Sequence, residues 1–314
     1  MKFDNRIILV LVAVIGIYAI FLFISDFSII SEKISNFKIN YLPLILFFVS
    51  ASWTPLFIKW HFLLKNCEIH VPLKKSILVF LSGPAFEITP GQIGALVKSQ
   101  ILKTSSNIPR TKTVPIIVVE KVYDLIGAVL ASIIGIVILG MEPHLIVIAI
   151  LVLVTIFFFV YYRPASEIFF KQITKRKFFS KYVENISDFY EIVHKSTNVK
   201  VATICILLAL TYWFMVSAAA YYTLIAFDIN ILDYLKVLAI YATSTLLGAI
   251  SFIPAGIGIT EGSITGLFTL NGIDVSTALI LSVMIRIFTL WYSVGVGFIA
   301  LKFTGAFSSR KNFS

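Results

Sequence analysis

A chain of 314 residues that is 59% hydrophobic and only 13% charged, with a mean hydropathy of +0.96, carries far more apolar surface than a soluble domain of that length needs for its core. That balance excludes a soluble globular domain and reads as an all-α integral membrane protein that crosses the bilayer several times. The formal charge of +10 fits an anionic leaflet better than nucleic acid.

The chain opens with Met1-Lys-Phe-Asp-Asn-Arg6 and an apolar run from Ile7. The run is long and no small-x-small cleavage site follows it, so an uncleaved first span is expected rather than a signal peptide. A spanning helix needs roughly 20 mainly apolar residues. Windows that meet or approach that length lie at about 7–24, 41–64, 113–139, 145–163, 199–227, 234–253 and 275–303. Two shorter apolar segments, about 76–87 and 91–103, flank the break Thr89-Pro90-Gly91-Gln-Ile-Gly94. A similar break, Pro254-Ala-Gly256-Ile-Gly258, recurs inside the second half. Irregular backbone at membrane depth is tolerated only where protein or a water-filled cavity satisfies its polar groups, so a matched pair of breaks points to a lined site. A single break of this kind would more simply be a kink or a close helix contact.

Lysine and arginine placement orients the chain, because positively charged short loops stay cytoplasmic. Residues 98–112 hold Lys98, Lys103, Arg110 and Lys112 with no acid, 163–200 hold eight basic residues against four acidic ones, and the tail holds Lys302, Arg310 and Lys311. The connections at 140–144, 228–233 and 271–274 hold Glu142, Asp228, Asp233 and Asp274 and no lysine or arginine. Both termini are therefore expected in the cytoplasm of a cell-membrane protein. The first broken segment starts and ends on the cytoplasmic side and the second on the outer side, which makes each a re-entrant hairpin and the two an inverted repeat. The expected organisation is a single membrane domain over 1–314 with six to eight transmembrane helices. Repeat 1 spans about 41–163 with a hairpin at 76–103, a basic cytoplasmic loop covers 164–198, and repeat 2 spans about 199–303 with a hairpin at 234–270. The segment 234–253 is also long enough to cross fully, and eight crossings without inverted hairpins fit the same charges.

Ionisable residues within spans cost about 2.5–3.5 kcal/mol each at a helix centre and so need a reason to be there. Glu120-Lys121-Val-Tyr-Asp124 puts Glu120 and Asp124 on one helical face with Lys121 three residues from Asp124. Arg286 falls near the bilayer middle of the last helix. These charges occupy corresponding helices of the two repeats, so Arg286 is expected to pair with the Glu120/Asp124 face, with Glu87, Lys98 and Glu261 bordering the hairpin tips. A structural ion-pair network holding the bundle together is the alternative.

The ordered set Thr89-Pro90-Gly91-Gln92-Ile-Gly94 with Lys98, Glu120-Lys121-x-x-Asp124, Pro254-Ala255-Gly256-Ile-Gly258-x-x-Glu261 and Arg286 resembles the lysylphosphatidylglycerol synthase transmembrane (flippase-like) family over roughly residues 5–305. The family pattern runs close to Pro-Gly-Arg-x-Gly-Glu, Glu-Arg-x-x-Asp and Pro-Gly-Gly-x-Gly-x-Arg-Glu. Here Gln92, Ala95, Lys121, Ala255 and Thr260 stand where Arg, Glu, Arg, Gly and Arg are usual. The resemblance implies a protein that moves a lipid between leaflets, with anionic, aminoacylated or polyprenyl-phosphate-linked lipids as partners. It does not imply lysyl-lipid synthesis, which resides in a soluble transferase domain.

The remaining features are weaker. Phe169-Phe170 and Phe178-Phe179 alternate with Lys171, Lys175, Arg176, Lys177 and Lys181, the pattern of an interfacial helix or of an ordinary positive-inside loop. Cys67 and Cys205 fall at different depths, so two free thiols are expected. His61, His70, His144 and His194 lack metal-ligand spacing, and no phosphate-binding Gly-x-x-x-x-Gly-Lys loop occurs, so neither metal nor cofactor is expected. Three classes stay open: a lipid flippase or transporter, a scaffold subunit joined to a synthase or to copies of itself, and a membrane-embedded enzyme. For the last, Glu87, Glu120 and Asp124 are the available acids, without a recognised catalytic motif.

Overall fold

The computed structural model describes residues 35–87, 94–138, 140, 147, 151, 153–155 and 186–305, and among them every regular element is helical. The spans expected at 7–24 and nearly all of 145–163 lie outside the described residues, as do Thr89, Pro90, Gly91 and the Phe169–Lys181 segment.

In the first half, a 3-10 turn at Ile39–Tyr41 leads into α1 (Leu42–Asn66). Next come α2 (Leu73–Ser82), which tightens into a 3-10 turn at Gly83–Phe86, and α3 (Val97–Ser106). The long α4 (Arg110–Ile138) follows. The second half holds α5 (Ile186–Ser196), α6 (Val199–Ala226), α7 (Tyr234–Ile250) and α8 (Ile259–Leu270). It closes with α9 (Val275–Arg286), which continues through a π turn at Ile287–Trp291 into α10 (Tyr292–Phe303). Ile39–Asn66, Val199–Ala226 and Val275–Phe303 are long and apolar enough to cross a membrane. At 10 residues each, α2 and α3 rise about 15 Å, half the thickness of a hydrocarbon core.

Local chemistry fixes the helix ends. The Asn198, Asp233 and Asp274 side chains accept backbone N–H bonds from Lys200, Lys236 and Thr277, satisfying donors that the first turn of a helix leaves free. Asp233 and Asp274, expected from the sequence to mark outer connections, thus have a capping role in the fold. Asn107 closes α3 in the left-handed conformation, where its short polar side chain is tolerated.

Helices α1 and α6 lie antiparallel. The N–H of Lys38, before α1, bonds to the Ala226 carbonyl at the end of α6, and Asn66 at the other end of α1 donates to the Lys195 carbonyl just before α6 begins. Two further contacts are reciprocal: α4 packs along α7, and α10 packs along α2 and its 3-10 turn. Small residues permit both. A Cβ added at Gly135 of α4 would come within 2.5 Å of the Ala239 Cβ on α7, and one added at Gly297 of α10 within 2.5 Å of the Ala85 nitrogen.

The buried apolar side chains form two large clusters. One joins Trp60, Leu63, Val79, Leu102, Ile116 and Phe189 of the first five helices with Cys205 of α6 and Leu301 of α10, and the other joins Trp213, Leu238, Tyr241, Ile264, Phe268 and Ile285 of α6 to α9 with Ala131 of α4. Outward faces carry Phe47, Leu207, Leu247, Phe298 and Ile299, as a surface wetted by lipid rather than water requires.

Candidate functional site

The second break owes its shape to two glycines, one alanine and one arginine. After α7, Ala255 and Gly256 take positive φ values of 53° and 65° and Gly258 one of 87°, so the chain reverses within a few residues. Gly256 has a second reason to lack a side chain: its Cβ would stand 2.7 Å from the Thr260 hydroxyl and 2.8 Å from the Gly248 Cα. Glu261, in the first turn of α8, is 1% exposed and bound on both oxygens. One accepts the Gly258 N–H at 2.7 Å, as the acidic arm of a capping box, and the other accepts Arg286 Nε–H at 3.0 Å. Arg286 also donates through Nη2 to the Ala255 carbonyl. One cation thus anchors the acid that caps α8 and a carbonyl that the break leaves out of any helix.

The described residues that flank the first break carry a comparable pairing with the charges exchanged. Lys98, in the first turn of α3, pairs with Glu120 of α4, and both are buried. Its ammonium also lies 4.2 Å from the centre of the Trp60 ring and 5.9 Å from that of Phe80. In each half, then, a charge at the start of the helix after the break meets its opposite on the next long helix, 22 residues on in the first and 25 in the second. The expected pairing of Arg286 with Glu120 and Asp124 does not occur. Glu261 lies on the helix packed directly against α9 and reaches the guanidinium first, while Glu120 is taken by Lys98 and Asp124 by lysines of its own half.

Those lysines include one that sequence reasoning missed. Lys59 of α1 is fully buried and bonds Asp124, which Lys121 approaches at 3.8 Å. The signal was present: Lys59 is an ionisable residue inside an apolar window, the same feature that singled out Arg286.

These elements enclose a cavity of about 210 Å³. Glu87, Lys98, Glu120, Lys121, Asp124 and Arg286 line it with Gly256, so most of the described candidates meet on one surface. Pro254, Gly258 and Glu261 stand just behind, shaping the second break, and Gly94 opens the short 3-10 turn that leads into α3. The lining is also aromatic: Tyr212 and Trp213 make an edge-on pair at 5.4 Å, with Tyr241 at 6.2 Å from Trp213. Composition alone did not single out these rings. Cys67 and Cys205 are both free thiols, and no cluster of three or more metal-ligating side chains occurs among the described residues.

Spanning helices, two broken segments and a buried charged cavity define an all-helical, multi-pass membrane protein with an internal polar site. The family described as the lysylphosphatidylglycerol synthase TM region matches residues 7–297, and the chain belongs to that family. A comparison with curated proteins gives no significant match.

Proposed function

We propose that this protein is a flippase-like lipid transporter that carries a lipid headgroup between leaflets through the cavity between its two halves. The observation that carries the reading is the convergence of the second helix break, residues flanking the first and six ionisable side chains on one cavity inside a bundle whose outer faces are apolar. Charges in such a place are costly, and a polar path for headgroups gives them a use. The antiparallel α1 and α6 and the reciprocal packing of α4 on α7 and α10 on α2 are what an inverted repeat requires, since equivalent elements then make equivalent contacts. In this reading α2 with α3, and α7 with α8, are re-entrant hairpins entering from opposite sides, both termini are cytoplasmic, and the membrane is the cell membrane. The chain does no covalent chemistry here: its acids are engaged in ion pairs or border the path. A partner or an ion gradient supplies any driving force.

The test is exchange by the purified protein in liposomes with fluorescent lipid in both leaflets. An impermeant external quencher should remove well over half of the signal, and changing Asp124 or Arg286 to neutral residues should return it to the outer-leaflet share. Quenching confined to the outer leaflet for anionic, zwitterionic, aminoacylated and polyprenyl-phosphate lipids alike would assign the protein to a scaffolding role beside a synthase.

A further inference from the structure

The cavity's charges are unevenly matched, and the remainder has a definite chemistry. Lys98 is used by Glu120 and Arg286 by Glu261. Asp124 is shared between two cations: Lys59 bonds it from behind, and Lys121, with about a third of its side chain exposed, stands at 3.8 Å, beyond hydrogen-bonding distance. Glu87 lines the cavity from the end of the first broken segment, and its carboxylate makes no ion pair with any described residue. The cavity therefore offers one ammonium whose acid is already satisfied and one carboxylate without a cation. Counted whole, the lining is balanced, with Glu87, Glu120 and Asp124 against Lys98, Lys121 and Arg286, while Lys59 and Glu261 behind it add one charge of each sign. A ligand with a net charge would leave that charge uncompensated in a low dielectric, whereas a dipolar ligand of net zero charge would not.

We propose that the cavity receives a zwitterionic phospholipid headgroup, with phosphate on Lys121 and ammonium on Glu87, and that Lys59 is the positioning residue which occupies Asp124 and leaves Lys121 available. The proposal rests on the lipid-transport reading, and its test separates the two. Dissociation constants are measured by calorimetry for the full chain in detergent with short-chain phospholipids that share their acyl chains and differ only in bearing phosphoethanolamine, phosphoglycerol or phospho-lysylglycerol. The ethanolamine lipid should bind roughly tenfold tighter than the glycerol lipid, the worth of one charge-assisted hydrogen bond. Glu87→Gln should collapse that ratio to near one and Glu87→Asp should keep most of it. Lys59→Met should weaken both lipids by a similar factor, because Asp124 then recaptures Lys121. Equal or tighter binding of the glycerol lipid by the unaltered protein overturns the proposal even if no variant folds. So does an undiminished ratio in Glu87→Gln, and so does tightest binding of the lysyl lipid, which would mark a net cation receptor. Selective binding without leaflet exchange would defeat transport and leave the headgroup assignment standing. Exchange of all lipids without selective binding would do the reverse.

Discussion

At the residue scale, Ala255 is where local conformation and tertiary demand disagree. A residue with a Cβ sits at φ 53° because its carbonyl must meet Arg286, and the left-handed region costs such a residue roughly 1–2 kcal/mol. Glycine is the family's usual residue at this position, and Ala255→Gly should raise stability by about 1 kcal/mol, read as a higher melting temperature in detergent. No rise would mean that the turn holds Ala255 without strain. Sequence reading identified Ala255 as a departure from the pattern, but its cost is visible only from the backbone angle. Lys59 teaches the converse. Its position inside a span was legible, while its partner was not, because Asp124 is 65 residues away and no local spacing links them.

Among the elements, the last helix shows how equivalent letters in a sequence diverge in space. Gly295 and Gly297 are both small residues suited to close packing, and spacing alone cannot tell them apart. In the fold a Cβ at Gly297 would press on the backbone of Ala85, whereas one at Gly295 would meet nothing within 4 Å. Gly297→Val should therefore destabilise by about 1–3 kcal/mol and impair exchange, since it pushes α10 off the first broken segment, while Gly295→Val should be near neutral. Similar losses in both variants would mean that Gly295 packs against something in the membrane. The π turn at Ile287–Trp291 was likewise illegible. It follows Arg286 directly and redirects Thr289 and Leu290 toward the cavity lining, and widened turns of this kind recur at functional sites.

For the whole molecule, the proposed orientation with both termini cytoplasmic has a chemical reporter. Lys38 and Asp228 pair at 2.9 Å where α1 begins and α6 ends, the end that this proposal places outside. Cys67 lies at the other end of α1, with its thiol 3.3 Å from the Ser196 hydroxyl. Burial pushes that thiol above its ordinary value, so at neutral pH less of it is thiolate than for a free cysteine. An impermeant maleimide should leave Cys67 unlabelled in intact cells. After permeabilisation it should react slowly at pH 7 and about tenfold faster per pH unit until the shifted value is passed, with Cys205, wholly buried in α6, inert until denaturation. Labelling from outside would reverse the topology, and fast labelling at pH 7 would place the thiol in open water.

The sequence by itself determined the membrane class, the second helix break, the family and most of the charged residues that meet at the site. Those properties follow from composition, from the backbone limits of proline and glycine, and from the cost of an ion in an apolar window, all of which act locally. Only the tertiary structure decided who pairs with whom. Glu261 rather than Glu120 holds Arg286, Lys59 reaches Asp124, and Tyr212, Trp213 and Tyr241 join the cavity lining. The physical reason is competition at short range in a medium of low dielectric: an ion takes the partner its packed neighbour helix presents, and which helices are neighbours is set by long-range contacts that no window of sequence contains.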